Sequence, residues 1–260
     1  MADYVLARKS RNIASGAVHI FLNLLLGIGA VMITVLSGSP MLGVILVLVS
    51  KWRMFAVRSR YLWLNIKSNL VDLIVGLSVV ILTYFAGAAI LPVDFILAGF
   101  YCLWLLLIKP LSSETATMAQ SLTAVFLGTS AAAIATAGMD PIVVCLVAFV
   151  IGYAAARHIL VQSNDKDFTL TTLVCGLVFS EVALLTHSWM IIYTFGATGI
   201  RIPQIAIILT IFAFVYNYAR QAMVKYQDDF RFKHILTPVI FGAVLIGIIV
   251  IWFSNPIFNI

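Results

Sequence analysis

Two acidic residues lie inside long apolar stretches of the sequence, where a charge is costly. Asp72 follows a basic segment by a few residues, and Glu181 lies about thirteen residues into the apolar stretch 168–186. A charged side chain at the centre of a bilayer costs at least about 2.5–3.5 kcal/mol, so such residues usually face the bundle interior or water. Both residues are therefore candidates for an ion or proton site. At about 1.5 Å rise per residue, Glu181 should lie roughly 13 Å farther from the cytoplasm than Asp72, which argues against a catalytic pair.

Asp72 belongs to a polar stripe. Asn65, Asn69 and Asp72 recur at spacings of four and three residues, which places them near one face of a helix. In one interpretation this face lines a polar pathway near the cytoplasmic end. In the other, Asp72 pairs with the basic segment, whose last member, Lys67, precedes it by about one turn. The second interpretation is favoured because Asp72 is close to the membrane interface.

Glu181 has polar neighbours at helical spacing, Thr172 and Ser180. One interpretation is a pathway residue that carries a proton or binds a cation; the other is a neutral carboxylic acid that hydrogen-bonds a neighbouring helix. In the first case, Glu181→Gln should abolish solute or proton flux in liposomes and leave the fold intact. Normal flux in that variant would remove Glu181 from the mechanism.

No motif for a cofactor, metal or nucleotide accompanies these residues. Cys102, Cys145 and Cys175 lie separately in apolar stretches, and the four histidines do not share a metal-ligand spacing. The sequence lacks a nucleophile elbow and a phosphate-binding loop. We therefore expect no cofactor and no metal. An intramembrane lipid-modifying enzyme, the third function considered, would need an acid–base pair that the sequence does not provide, so we expect no enzyme activity.

The composition requires a membrane. Hydrophobic residues make up 63% of the 260 and charged residues 10%, against about 45–50% and about 25% in soluble domains. The mean hydropathy is +1.10. The sequence therefore predicts an all-α, polytopic membrane bundle. About nine transmembrane helices are predicted, at residues 13–36, 41–57, 68–87, 93–108, 117–137, 141–156, 168–186, 203–219 and 235–253. The second is either short, because Lys51 follows after about ten apolar residues, or extends to about Val57 with Lys51 and Arg53 snorkelling outward.

The basic residues predict the orientation. With a cytoplasmic N-terminus, fifteen of the 16 Lys and Arg fall on the cytoplasmic side and only Arg201 falls outside. This requires residues 188–202 to be interfacial or re-entrant and the tail 254–260 to be external. The first apolar stretch is about twice as long as a signal-peptide core, so we expect no cleaved signal peptide. A bacterial-type cytoplasmic membrane is the expected location.

A shift of 100 residues aligns parts of the chain with itself, for example Leu70 with Leu170 and Gly76 with Gly176. We therefore consider a tandem repeat of two four-helix units in parallel orientation, at 13–110 and 117–220, followed by a final helix at 235–253. Chance matching of Leu- and Gly-rich helices is the alternative. Without a soluble segment between the units, the chain is expected to form a single transmembrane domain.

Two functions remain open. The first is a transporter or channel for a small solute or ion, because polar groups are retained inside the helices. The alternative is a non-catalytic membrane subunit or scaffold that binds a protein partner through its basic cytoplasmic loops. Those loops would also suit anionic lipid headgroups, whereas nucleic-acid binding is not expected because no soluble basic surface is long enough. The docking or headgroup candidates are Lys51, Arg53, Arg58, Arg60 and Lys67.

Overall fold

The computed structural model describes residues 2–87, 91–161, 168–188, 191–195, 198–226 and 231–253, with side chains from residue 16 onward. The predicted polar loop 162–167 and the tail 254–260, predicted to be external, lie outside the described residues. So do parts of the predicted segments 188–202 and 220–234.

The described residues are almost entirely helical, which confirms the prediction of an all-α fold. A π-helix, Trp104–Ile108, continues directly from the α-helix Pro92–Leu103. The helices are α1 (Ala2–Ser37), α2 (Pro40–Ser50), α3 (Trp52–Phe55), α4 (Ser59–Ser68), α5 (Leu70–Ala86), α6 (Pro92–Leu103), α7 (Glu114–Ala135), α8 (Pro141–Leu160), α9 (Phe168–His187), α10 (Gln204–Tyr226) and α11 (Lys233–Trp252).

Six helices in the described part of the chain are long and apolar enough to cross a membrane: α1, from Gly16, and α7 to α11. A seventh span results if α4 and α5, which meet at a bend of 64°, are counted together. The predicted count of nine spans is not confirmed. Two of the predicted spans correspond to shorter apolar helices, Pro40–Ser50 and Pro92–Ile108. An 11-residue helix such as α2 rises only about 16 Å, roughly half of the hydrocarbon core.

The first two helices form a hairpin for a local reason. Gly38 adopts a positive φ of 59°, which glycine tolerates without steric cost. Ser39 then caps α2, since its side chain accepts a hydrogen bond from the backbone nitrogen of Met41 at 3.3 Å, and Pro40 occupies the first helical turn. Of the two lengths predicted for the second span, the structure has the short one and not the extension to residue 57. Helix α2 ends at Ser50 and the short α3 follows.

Residues 188–202 include a short hairpin. Its strands, β1 (Ile192–Thr194) and β2 (Arg201–Pro203), pair in antiparallel fashion, with Tyr193 opposite Ile202. Strand β2 runs directly into α10, and Gln204 at the start of α10 is held by a backbone hydrogen bond to the carbonyl oxygen of Ile191 at 2.8 Å. An interfacial or re-entrant position for this hairpin remains a prediction.

Helix α7 lies at the centre, between two groups of helices with separate buried cores. The first core joins α1, α2, α5 and α6 and includes two residues of α7, and the second joins α7, α8, α9 and α10. Within the first group α1 contacts α2 and α6, and α5 contacts α2 and α6. The corresponding pairs in the second group, α7 with α8 and α10, and α9 with α8 and α10, are also in contact. The tandem repeat stays a prediction that this arrangement supports.

Helices α8 and α9 pack most extensively, and two glycines permit this. A Cβ atom added to Gly152 would lie 2.5 Å from Cγ of Phe179, and one added to Gly176 would lie 2.8 Å from Cε2 of Phe149. Small residues at such positions let membrane helices approach closely. The glycines thus fix the spacing of this pair.

Candidate functional site

A cluster of charged and aromatic side chains surrounds Asp72, and we call it the Asp72 cluster: Lys51, Asp72, Trp104 and Lys109. One carboxylate oxygen, Oδ2, forms ion pairs with both lysines; the Lys109 Nζ lies 2.7 Å away, and the Lys51 ammonium is in direct contact. The other oxygen, Oδ1, accepts a hydrogen bond from the indole Nε1 of Trp104 at 3.0 Å. The carboxylate is therefore held from three directions.

Three separate elements contribute to the Asp72 cluster. Lys51 directly follows α2, Asp72 lies in the first turn of α5, and Trp104 opens the π-helix that Lys109 ends. In an α-helix, with about 3.6 residues per turn, residues five apart point in different directions. A π-helix bonds residue i to i+5 and so brings them to the same side, as the 2.8 Å bond from the Lys109 nitrogen to the Trp104 carbonyl shows. Both residues thereby reach Asp72.

The Asp72 cluster is buried on one side and open on the other. The side chains of Lys51 and Asp72 are 9% and 10% exposed, whereas that of Lys109 is 42% exposed. Two ammonium groups face one carboxylate, so the cluster carries a net positive charge. Burial lowers the pKa of Lys51, which lies beyond the end of α2, and the neighbouring Asp72 carboxylate acts in the opposite direction. Among the three charged side chains of the cluster, that of Lys109 is the most exposed at the protein surface.

A buried tyrosine lies near the cluster. Tyr101 is fully buried in α6, and its hydroxyl has no hydrogen-bond partner within the described part of the chain. A Cβ atom added to Gly76 would lie 2.7 Å from that hydroxyl oxygen. Gly76 therefore provides the space in which the Tyr101 ring packs against α5.

A second polar junction connects the end of the π-helix to α7 and α8. The Gln120 amide nitrogen donates hydrogen bonds to the backbone carbonyls of Ile108 at 2.7 Å and Leu111 at 2.9 Å. Its Oε1 lies 2.7 Å from Nε2 of His158. Gln120 thereby satisfies carbonyl groups left open at a helix C-terminus. His158 serves here as a structural partner.

The predicted polar stripe is broken by the bend between α4 and α5. Asn65 donates a hydrogen bond from Nδ2 to the Met54 carbonyl at 2.9 Å, and Asn69 donates to the Asn65 carbonyl at 2.9 Å. Both amides thus bind backbone at the junction of α3, α4 and α5. Asp72, by contrast, forms ion pairs with Lys51, which belongs to the basic segment, and with Lys109, which does not. The interpretation as an ion pair with the basic segment therefore describes its position, but the partner in that segment is Lys51 and not Lys67.

Glu181 lies on the outside of α9. Its side chain is exposed, together with those of Leu177, Leu184 and Leu185 on the same helix. Thr172 is buried, and its hydroxyl donates to the Thr169 carbonyl at 2.8 Å; Ser180 is half-buried. These polar side chains are therefore not gathered around one cavity with Asp72.

The remaining basic candidates lie on the surface formed by α3, α4 and the turn between them. Arg53, Arg58 and Arg60 are exposed. The Arg60 guanidinium lies 4.4 Å from the centre of the Tyr61 ring. The Lys67 ammonium stacks on Trp63 in the same way, at 5.1 Å. Cationic and aromatic side chains arranged in this way suit a membrane interface, and lipid or partner binding by this surface stays a prediction.

Cavities lie between the described helices at opposite ends of the bundle, and we name them outer and inner after the predicted orientation, which stays a prediction. The outer cavity, of about 450 Å³, lies between the end of α5, the start of α6, α7 and the hairpin; it contains Ser130, with Arg201 at its edge. The inner cavity, of about 430 Å³, lies between α7, the second half of α8, the first half of α9 and the second half of α10; it contains Asn217. Both are lined mainly by apolar side chains.

Sequence reasoning missed Lys109 and Trp104 as partners of Asp72, and Asn217 altogether. The signal for the first two was weak because five residues separate them, a spacing that predicts opposite sides of an α-helix. Within the described residues, no group of three or more His, Cys, Asp or Glu could hold a metal ion.

By helix length and composition, the chain is a multi-pass membrane protein. Comparison with known proteins adds no closer identity, since no family model, curated protein or solved structure matches the chain.

Proposed function

We propose that the chain is a carrier that moves a small, largely apolar solute across the membrane. The observation that supports this is the pair of cavities at opposite ends of the bundle, both lined by the central helix α7. Each has the size and the apolar lining of a small-molecule site. A carrier exposes its site to one side of the membrane and then to the other, and two half-sites in two packed groups of helices suit such a cycle.

Both cavities have rims that open sideways. Leu170 and Phe212 at the inner cavity are 65% and 40% exposed, and Ile96 at the outer cavity is 54% exposed. Leu170 and Phe212 belong to helices long and apolar enough to cross a membrane, and Ile96 belongs to the shorter apolar α6, so we expect the openings to face lipid. The solute is therefore expected to enter from the bilayer.

In this mechanism the Asp72 cluster holds the helices of the first group together at their inner end. It joins the ends of α2 and α6 to the start of α5 by two ion pairs and one hydrogen bond, while the outer cavity lies at the opposite end of α5 and α6. Opening of the outer cavity toward the inner side requires these contacts to separate. We propose that the Asp72 cluster lies on the cytoplasmic side, following the distribution of basic residues.

The carrier is tested by measuring distances across both rims in lipid nanodiscs. Spin labels at Leu170 and Phe212 report on the inner rim, and labels at Ile96 and Arg201 report on the outer rim. We expect two populations of distances at each rim. Added solute or a change that weakens the Asp72 cluster should shift the two rims in opposite directions.

A label pair on the tightly packed α8 and α9, at Ile142 and Leu185, serves as the control, and its distance should have a single population. Both residues are exposed, so labelling should not disturb the core. A single, invariant distance at both rims would contradict the carrier and leave a static binding protein.

A further inference from the structure

The inner cavity contains a polar side chain that the protein itself does not satisfy. Asn217 of α10 lines the cavity and is 2% exposed, and neither its Nδ2 nor its Oδ1 has a hydrogen-bond partner among the described residues. Thr34 and Thr129, which are also buried on membrane helices, instead bind a carbonyl on their own helix. Asn217 differs from them because it lies in the lining of a cavity large enough for a ligand and its amide has no hydrogen-bond partner among the described residues.

The unpartnered amide of Asn217 restricts which chemical groups of a ligand could lie beside it. A buried polar group without a partner costs about 1–3 kcal/mol, a penalty that a bound partner removes. The amide offers two N–H donors and a carbonyl acceptor, so it is complementary to a group that both donates and accepts. The nearby Ser121 contributes less, because its hydroxyl already donates to the Ala155 carbonyl at 3.0 Å.

The rest of the lining restricts the ligand further. Among the described residues, no Lys, Arg, Asp or Glu lines the inner cavity. Besides the hydroxyl-bearing Thr171 and Tyr216, its other walls are mainly aliphatic and aromatic, including Val174, Val178 and Phe179. An ionic group would lose its hydration there without compensation. The rim residues Leu170 and Phe212 lead from the cavity to the lipid-facing surface between α9 and α10.

We propose that the inner cavity binds a neutral, single-chain amphiphile, such as a long-chain alcohol, whose hydroxyl group hydrogen-bonds the Asn217 amide. The hydrocarbon chain lies against the apolar wall and leaves through the opening between α9 and α10. This names the solute class of the proposed carrier and in that respect rests on it. A charged lipid headgroup would have to remain outside the cavity.

The chain supplies its own reporter for this site. Cys175 lines the inner cavity, whereas Cys145, near the start of α8, lies outside its lining. A bound chain should shield Cys175 from a small, membrane-permeant alkylating reagent. Mass spectrometry of the digested protein reads the two thiols separately, so Cys145 provides the internal control.

The experiment compares a photoactivatable long-chain alcohol with the alkane of equal length, using the full chain in nanodiscs. The alcohol should crosslink to residues 170–179 and 212–217 and slow the alkylation of Cys175, and the alkane should do so much less. Asn217→Leu keeps the side-chain size and removes the amide. We expect it to reduce labelling by the alcohol about tenfold, as for the loss of one well-formed hydrogen bond in a buried site.

Thr129→Val, which removes a buried hydroxyl of α7 that lines neither cavity, is the matched variant, and labelling of the inner cavity should be unchanged in it. Equal labelling by alcohol and alkane in the unmodified protein would overturn the proposal, and this comparison does not depend on how well any variant folds. Equal labelling of Asn217→Leu and the unmodified protein by the alcohol would overturn it as well.

The two proposals fail in different ways. Binding of the alcohol together with a single distance at both rims would overturn the carrier and support the site. Two populations at both rims without selective labelling by the alcohol would overturn the site and support the carrier.

Discussion

Replacing Asp72 by asparagine removes a negative charge from the Asp72 cluster and keeps the size of the side chain. The amide oxygen of the new side chain can still accept the hydrogen bond from Trp104, so this contact is retained. Lys51, however, loses its counter-ion. Its ammonium group stays buried, because the side chain is only 9% exposed. The substitution therefore isolates the effect of an unpaired ammonium group at this position.

Two estimates give the size of the effect. Removing one partner of a buried ion pair costs about 3–5 kcal/mol, because the other charge stays buried. The lysine can instead lose its proton, which costs about 4.6 kcal/mol at pH 7 from an ordinary pKa of about 10.4. Lys109 adds little, roughly 0–1 kcal/mol, since it is 42% exposed and can turn to solvent. We expect Asp72→Asn to lower the free energy of unfolding by about 3–5 kcal/mol.

The pH dependence follows from the same reasoning. In the variant, the folded-state pKa of Lys51 lies below its unfolded value, so the penalty is present below the unfolded pKa and disappears as the pH rises toward it. Deprotonation at pH 9 costs only about 1.9 kcal/mol. The difference in stability between the unmodified protein and the variant should therefore shrink between pH 7 and pH 9.

Equilibrium unfolding in mixed micelles, followed by far-ultraviolet circular dichroism, measures these differences. The double variant Lys51→Met/Asp72→Asn removes both charges and should regain most of the lost stability, to within about 1 kcal/mol. Lys109→Met serves as the partly exposed control and should cost at most about 1 kcal/mol. If the double variant is no more stable than Asp72→Asn alone, the unpaired Lys51 ammonium is not the cause.

Two further substitutions test the packing and the exposed face of α9. Gly176→Ala places a Cβ atom 2.8 Å from the Phe149 ring and 3.1 Å from the Phe149 carbonyl, so it should cost about 1–3 kcal/mol in the same unfolding assay; Gly247→Ala, where nothing lies within 4 Å, should stabilise slightly, and equal effects would contradict the close approach. Glu181→Leu should raise the stability of the isolated chain if the exposed side chain faces lipid, because a charge there is costly. A loss of stability would indicate that the carboxylate has a partner, and dissociation of a copurifying protein would favour the alternative function as a membrane subunit.

The sequence predicted the class of fold because long apolar stretches indicate that the surrounding solvent is a bilayer, whatever the tertiary contacts are. The predicted count of nine spans is not confirmed, since helix ends depend on tertiary contacts. The second span was predicted as either short or extended to Val57 with snorkelling lysine and arginine; in the structure α2 ends at Ser50 and Lys51 turns inward to Asp72. The sequence could not predict this inward position, because the partner of Lys51 lies 21 residues farther along the chain.

The same argument explains why depth along a helix was an incomplete guide to the site. Depth gives the cost of a polar side chain, but the side of the helix that faces the protein decides whether that cost is met. Asp72 lies near a helix start and is satisfied by Lys51 and Lys109, whereas Glu181, deeper in its helix, points outward. Asn217 is uncharged and stood out least in the sequence, yet it lines a ligand-sized cavity and has no hydrogen-bond partner among the described residues. In a membrane bundle, the polar groups that the fold leaves unsatisfied beside a cavity are therefore better indicators of a ligand than the charged groups that it pairs.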